Sequence, residues 1–263
     1  MLALPWTYLA LLSLGYGMAL SYGRLGWLAG LSIVLLLIAG FAVRQQKLAL
    51  GRYLGHGLFV VLALALATHW LPGFYNDRVI DPQRFTDDAV PFSMYLNLDK
   101  PLIGFWLLIA CPWIAGRPSL RLFLPATALA LSMSAVLALG GALLLHAIDW
   151  APKWPEQAWL WLLNNLLLVS LVEEALFRGY LQGGLSRRLA HLPYGESLAL
   201  LLASLLFGLA HLGAGWQWVL LASLAGVGYG LAYRFGGLAA AIASHFGLNL
   251  LHFGLFTYPM LAG

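Results

Sequence analysis

A series of long apolar stretches constrains this chain most. Nine stretches carry almost no charge, near residues 4–22, 25–43, 54–72, 101–116, 120–145, 159–181, 198–212, 216–233 and 238–257. A helix needs about 20 apolar residues to cross the hydrocarbon core of a bilayer. The fourth and seventh stretches are short, so the pattern predicts eight or nine crossings. We therefore predict an all-α fold, a polytopic transmembrane helix bundle.

The composition agrees with this fold class. Apolar residues make up 62% of the chain and charged residues only 9%, whereas about a quarter of a soluble domain is charged. The net charge of +4 does not require a nucleic-acid partner, because basic loops that orient membrane helices account for it. The single cysteine, Cys111, excludes an intramolecular disulfide and a cysteine-based zinc site. The expected partner is the lipid bilayer, and the expected location is the bacterial inner (plasma) membrane.

Residues 73–100 form a polar interruption between the third and fourth apolar stretches. This segment holds five aspartates together with Pro82 and Pro91, so we predict a loop outside the hydrocarbon. We divide the chain into an N-terminal extension of about five helices, residues 1–150, and a C-terminal bundle, residues 151–263. With the N-terminus inside, the predicted inner loops carry more basic residues than the outer loops. The basic residues of the inner loops are Arg44, Lys47, Arg52, Arg117, Arg121, Arg187, Arg188 and Arg234.

Three charges lie together in the sixth apolar stretch. Glu173, Glu174 and Arg178 follow residues 159–172, which carry no charge. A charge inside a membrane helix costs roughly 2.5–3.5 kcal/mol on insertion scales. Glu174 and Arg178 are four residues apart, share a helix face and can neutralise each other. Glu173 points about a hundred degrees away and has no local partner, which indicates a functional role.

Three further polar residues lie in the later apolar stretches. Counting about 1.5 Å per residue from the predicted inner ends places Glu173, His211, His245 and Asn249 at similar depths, roughly 12–22 Å. Side chains from three helices can therefore meet. A carboxylate base, a histidine that shares the proton, and donors for an oxyanion are what a buried hydrolytic site needs. The other helical histidines, His252 among them, are predicted to be packing residues.

Three motifs follow one another within about residues 158–257: Glu173-Glu174-x-x-x-Arg178, Phe207-x-x-x-His211 and His245-x-x-x-Asn249. Their order resembles that of a known family, the CAAX-protease and bacteriocin-processing (CPBP, or Abi) intramembrane proteases. That family includes the type II CAAX prenyl endopeptidases.

The resemblance implies a role for each motif residue. Glu173 and His211 would activate a water molecule, and His245 and Asn249 would stabilise the oxyanion. The other three motif residues would give structural support: Glu174, Arg178 and Phe207. The implied activity is an intramembrane endopeptidase acting on a peptide or on a membrane-associated protein, and prenylation of that substrate does not follow from the resemblance.

Other interpretations stay open. Glu173, His211 and His245 could hold zinc, but their spacing lacks the compact His-Glu-x-x-His pattern, so a glutamate-dependent, cofactor-free mechanism is favoured. The same three residues could serve as a proton relay in a proton-coupled transporter, although a transporter would predict an internal repeat, and the chain has none that we detect. A third interpretation is a non-catalytic protein that binds a membrane partner.

Overall fold

Helices occupy all nine predicted positions. The computed structural model describes residues 3–44, 49–116 and 119–262. In this part of the chain the helices are α1 (Ala3–Ser21), α2 (Trp27–Arg44), α3 (Ala49–Ala67), α4 (Pro101–Ala110), α5 (Leu120–Leu144), α6 (Ala158–Arg188), α7 (Gly195–Leu209), α8 (Trp216–Gly236) and α9 (Leu238–Leu255). Short 3-10 turns follow α4 (Pro112–Ala115) and α7 (Leu212–Ala214). Two basic residues used for the predicted orientation, Lys47 and Arg117, lie outside the described residues.

Six of the described helices are long and apolar enough to cross a membrane: α2, α3, α5, α6, α8 and α9. Helices α4 and α7 are apolar but shorter, so the predicted count of eight or nine crossings is not confirmed. Large apolar side chains point away from the protein interior on these helices; Leu37 is 67% exposed, Leu129 66% and Val136 72%. Such surfaces suit contact with lipid, and the chain is an integral membrane protein.

The polar segment 73–100 is more ordered than a loop. It contains a two-stranded sheet made of β1 (Asp77–Gln83) and β2 (Phe92–Leu96), which the all-α prediction missed. The segment's aspartates and prolines indicate a turn or loop and mask two short strands. Ile80 of β1 and Met94 of β2 are buried in one apolar cluster with Trp161 and Phe253. The sheet therefore packs on the start of α6 and the end of α9.

The described residues form two compact units that interleave along the chain. The first contains residues up to Asp77 and Tyr95–Pro112, and so α1–α4. The second contains Arg78–Met94 and the chain from Trp113 onward, including α5–α9. The proposed domain boundary at residue 150 stays a prediction.

Helix α8 is the central helix of the second unit. It packs against α5, α6, α7 and α9, and the buried share of its 18-residue apolar window, 56%, is the largest among the six long apolar helices. Gly226 permits close packing, because a Cβ there would lie 3.1 Å from Arg178 Nη2 and 3.2 Å from the Cα of Ser204. Gly230, one turn later, similarly faces Gln182 and Leu200. Both glycines therefore allow α8 to pack closely against α6 and α7.

Helix α6 contains two π-helical segments, Asn165–Ser170 and Ala175–Gln182. They lie directly before and after the short α-helical turn Leu171–Glu174. A π-helical turn holds more residues than an α-helical turn, and such segments are frequent at functional sites. The two segments shift the register of side chains along α6, so the helix face on which each polar residue lies cannot be counted with a single period.

Candidate active site

The pair expected between Glu174 and Arg178 is present and fully buried. Arg178 Nε donates to Glu174 Oε2 at 3.2 Å, and neither side chain has exposed surface. Arg178 Nη1 also donates to Ser204 Oγ on α7 at 3.2 Å. A buried ion pair needs further hydrogen bonds to offset its desolvation. The pair thus ties α6 to α7 and keeps a negative charge at position 174.

Glu174 has a second partner that the sequence did not predict. His245 Nδ1 lies 2.9 Å from Glu174 Oε1, and the imidazole is almost fully buried. Glu174 also pairs with Arg178, and an ionised carboxylate can only accept hydrogen bonds. With an ionised Glu174, the Nδ1–H of His245 donates the hydrogen bond between them. This contact fixes the ring orientation of a predicted oxyanion residue.

Glu173 lies on the other side of the same imidazole. Its Oε2 atom is 4.0 Å from His245 Nε2, and 34% of its side chain is exposed. Glu173 and Glu174 differ in environment although they are adjacent: Glu174 is buried between a cation and a potential cation, and Glu173 reaches an accessible space. This difference fits a mobile, proton-accepting role for Glu173 and a fixed role for Glu174.

Aromatic rings enclose His245. Tyr229 of α8 stacks on the imidazole with ring centroids 4.6 Å apart and planes 10° apart. Phe207 meets the imidazole edge-on at 5.6 Å, and the Arg178 guanidinium lies 5.3 Å from the centre of the Phe207 ring. Phe207, a predicted supporting residue, therefore separates the Arg178 end of the site from the histidines. Tyr229 was missed, since a tyrosine in an apolar helix resembles a packing residue.

His211 reaches the site from the end of α7. Its Nδ1 donates to the Phe207 carbonyl at 2.9 Å, because a carbonyl oxygen can only accept. When the ring is neutral, this contact leaves the lone pair on Nε2. His211, His245 and Asn249 line one cavity of about 100 Å³ between α5, α7, α8 and α9. Among the described residues no hydrogen bond or ion pair joins Glu173 to His211, and Glu173 connects to this cavity through His245.

Asn249 is positioned by a residue that the sequence reasoning missed. Its Nδ2 donates to Asn165 Oδ1 of α6 at 3.2 Å, and Ser170 Oγ donates to the same oxygen at 3.3 Å. Asn165 is 7% exposed. Asn165 could have been found as an amide within an otherwise apolar run, because buried polar groups require partners. A search for charged residues alone overlooks it.

His252 was predicted to be a packing residue, and the structure gives it a less simple environment. It lines the cavity together with His211, His245 and Asn249. Its ring stacks on Trp218 at 5.7 Å, yet its Nε2 is buried without a hydrogen-bond partner among the described residues. Such atoms are uncommon in folded proteins, and the cavity therefore has one more polar group than the motifs indicate.

The side chains were tested for a fit to zinc. A catalytic zinc usually has three protein ligands at close, equal distances. In the described part of the chain, no three His, Cys, Asp or Glu side chains are grouped so that they could hold a metal ion. His245 also uses Nδ1 for Glu174, which leaves only Nε2. A zinc site at Glu173, His211 and His245 stays an untested alternative.

One family model matches this part of the chain. Residues 155–251 match the model described as type II CAAX prenyl endopeptidase Rce1-like. No curated protein and no solved structure matches the chain. The matched residues contain every motif residue, from Glu173 to Asn249, and at the level of the family they support a CAAX-type intramembrane protease. The resemblance indicated by the motifs is therefore confirmed for this segment, which is similar to the Rce1-like type II CAAX prenyl endopeptidases.

Proposed function

We propose that this protein is an intramembrane endopeptidase that hydrolyses a peptide bond with a water molecule activated by Glu173. The observation that carries this proposal is the arrangement around His245. A partly exposed carboxylate lies 4.0 Å from its Nε2, and Asn249 and His211 line the adjoining cavity. These are the groups that hydrolysis of an amide requires: a base, oxyanion donors and a histidine that can carry a proton.

The reaction begins when Glu173 accepts a proton from water. The water oxygen forms a bond to the peptide carbonyl carbon, and the carbonyl electrons move to its oxygen. His245 Nε2–H and the amide N–H of Asn249 donate hydrogen bonds to this oxyanion. The proton held by Glu173 then passes to the peptide nitrogen, the oxyanion electrons form the carbonyl again as the C–N bond breaks, and the products are a carboxylic acid and an amine.

This role requires His245 to be an imidazolium. Its Nδ1 proton already serves Glu174, so a second proton is needed before Nε2 can donate to an oxyanion. In that state the two negative charges of Glu173 and Glu174 would be balanced by the positive charges of Arg178 and His245. Glu174 is a positioning residue in this scheme: it stabilises the imidazolium and holds the ring against Tyr229. Asn165 plays the corresponding part for Asn249.

The substrate class follows from the position of the site in the bundle. A segment that enters from the bilayer must first lose its helical hydrogen bonds, because cleavage needs an exposed carbonyl. We expect a peptide or membrane-associated protein that reaches the site from the inner face and laterally from lipid. The resemblance to the family does not by itself imply a prenyl group on that substrate.

Terminal proteomics tests the function even though the substrate is unidentified. Membranes from a deletion strain are compared with those of strains complemented by the natural protein, by Glu173→Gln, or by Glu156→Gln. Glu156 is exposed and precedes α6, so its variant is the matched control. New chain ends should appear with the natural protein and Glu156→Gln and be absent with Glu173→Gln. Equal sets of chain ends for Glu173→Gln and the natural protein, at equal expression, would refute the proposal.

A further inference from the structure

A second cavity, of about 540 Å³, lies in the same unit and shares no lining residue with the candidate active site. It is lined by the end of α6, the start of α7 and the end of α8, including Arg187, Glu196 and Arg234. Three helix termini meet there, so the cavity lies at one face of the bundle and not at its middle. Trp113 and Tyr233 also line it, and such residues are enriched where membrane helices meet the headgroup layer.

Two hydrogen-bond donors, the Tyr233 hydroxyl and the Arg187 guanidinium, lie close to glycine backbone in this cavity. A Cβ added to Gly183 would lie 2.7 Å from the Tyr233 hydroxyl oxygen and 3.6 Å from Arg187 Nη1. A Cβ added to Gly116 would lie 3.1 Å from the same hydroxyl. The Arg187 guanidinium is placed 5.1 Å from the centre of the Trp113 ring. Glycines thus keep open the space in which these two donors meet.

The described residues that line the cavity carry two positive charges, on Arg187 and Arg234, and one negative charge, on Glu196. Arg234 Nη2 pairs with Glu196 Oε2 at 2.8 Å. Guanidinium groups match phosphate oxygens in geometry and bind them through charge-assisted hydrogen bonds. The chemistry of this cavity therefore favours an anion over a neutral ligand.

We propose that this cavity binds the phosphate of an anionic phospholipid headgroup. The Arg187 guanidinium and the Tyr233 hydroxyl would donate hydrogen bonds to the phosphate oxygens. Basic pockets between transmembrane helices are known to bind anionic headgroups. The site is on the same helix as Glu174, two turns further along, but its occupancy does not depend on peptidase activity.

Native mass spectrometry of the full-length, detergent-purified protein measures this binding directly. The probes are phosphatidylglycerol, phosphatidylethanolamine and phosphatidylcholine of identical acyl composition, and soluble glycerol phosphate as a competitor. We expect phosphatidylglycerol to bind the natural protein most tightly, and Arg187→Gln to weaken that binding about fivefold. Arg188→Gln is the matched control, because Arg188 is adjacent but does not line the cavity; it should change the affinity less than twofold.

Tyr233→Phe removes only the hydroxyl group and should also weaken phosphatidylglycerol binding. This variant tests the proposal if Arg187→Gln does not fold. Equal binding of phosphatidylethanolamine would overturn the charge argument. Equal losses in Arg187→Gln and Arg188→Gln would overturn the assignment of the cavity. Displacement of the lipid by glycerol phosphate at comparable concentration would show a site for free phosphate and not for a membrane lipid.

Discussion

Glu174→Gln removes a negative charge from a position where the carboxylate has no exposed surface. The variant leaves Arg178 buried, and among the described residues Ser204 is then its remaining hydrogen-bond partner outside position 174. Arg178 Nη2 already has no hydrogen bond among the described residues. Removing one member of a buried ion pair typically costs about 3–5 kcal/mol, because the other charge is left uncompensated. We expect the free energy of unfolding to fall by about this amount.

The neighbouring substitution, Glu173→Gln, is the matched control. Glu173 is 34% exposed and its nearest charged partner is 4.0 Å away, so an exposed-pair value of about 0–1 kcal/mol applies. The assay is reversible unfolding of the purified protein in mixed micelles, followed by circular dichroism. We expect Glu174→Gln to unfold far earlier than Glu173→Gln, and Glu173→Gln to be folded and inactive.

A double variant separates the charge from the packing. Adding Arg178→Met to Glu174→Gln removes the stranded cation, and replacing both members of a buried pair is often close to neutral. The double variant should therefore be more stable than Glu174→Gln alone, while it lacks activity because His245 has lost its partner. The reasoning is wrong if Glu174→Gln unfolds within about 0.5 kcal/mol of the natural protein, or if the double variant is the less stable of the two. A folded, inactive Glu174→Gln beside an active Glu173→Gln would show that the two roles are reversed.

Three further predictions follow from the same geometry. Asn165→Leu should lower kcat about tenfold or more, the size of loss caused by weakening an oxyanion donor, whereas Asn164→Leu, its neighbour, should not; equal kcat values for the two variants would remove Asn165 from the site. Activity should survive exhaustive treatment with a strong zinc chelator, and metal analysis should find well under one zinc per chain; a stoichiometric zinc whose removal and return switch activity off and on would establish a metalloprotease. The Arg188→Cys variant should react with a membrane-impermeant maleimide only after permeabilisation, and the buried Cys111 gives the internal background. Labelling of intact cells would contradict the predicted orientation.

Much of the helical architecture could be predicted from the sequence. Membrane helices satisfy their own backbone hydrogen bonds, so length and apolarity alone locate them, and all nine predicted positions are helical. The ion pair of Glu174 and Arg178 was also predictable, because residues four apart share a helix face. The sheet at residues 77–96 was not, because its strands are short and its stability comes from burying Ile80 and Met94 against other elements.

The arrangement of the site depended on tertiary structure. Sequence identified Glu173, His211, His245 and Asn249 as candidates, and the family match spans all four. It did not reveal that Glu174 also holds His245, or that Asn165 holds Asn249, since these contacts join residues 71 and 84 positions apart. Two π-helical segments in α6 also change the register that a uniform helical period would assume.

The sequence by itself thus determined which segments are helices and which polar residues are too costly to bury without a reason, because both depend on local composition and on the low polarity of the bilayer. Only the tertiary structure decided which polar groups meet, which nitrogen of His245 faces Glu174, and which glycines leave a second cavity open. Those features depend on how α6, α8 and α9 pack, and helix packing is set by side-chain shape over long sequence separations.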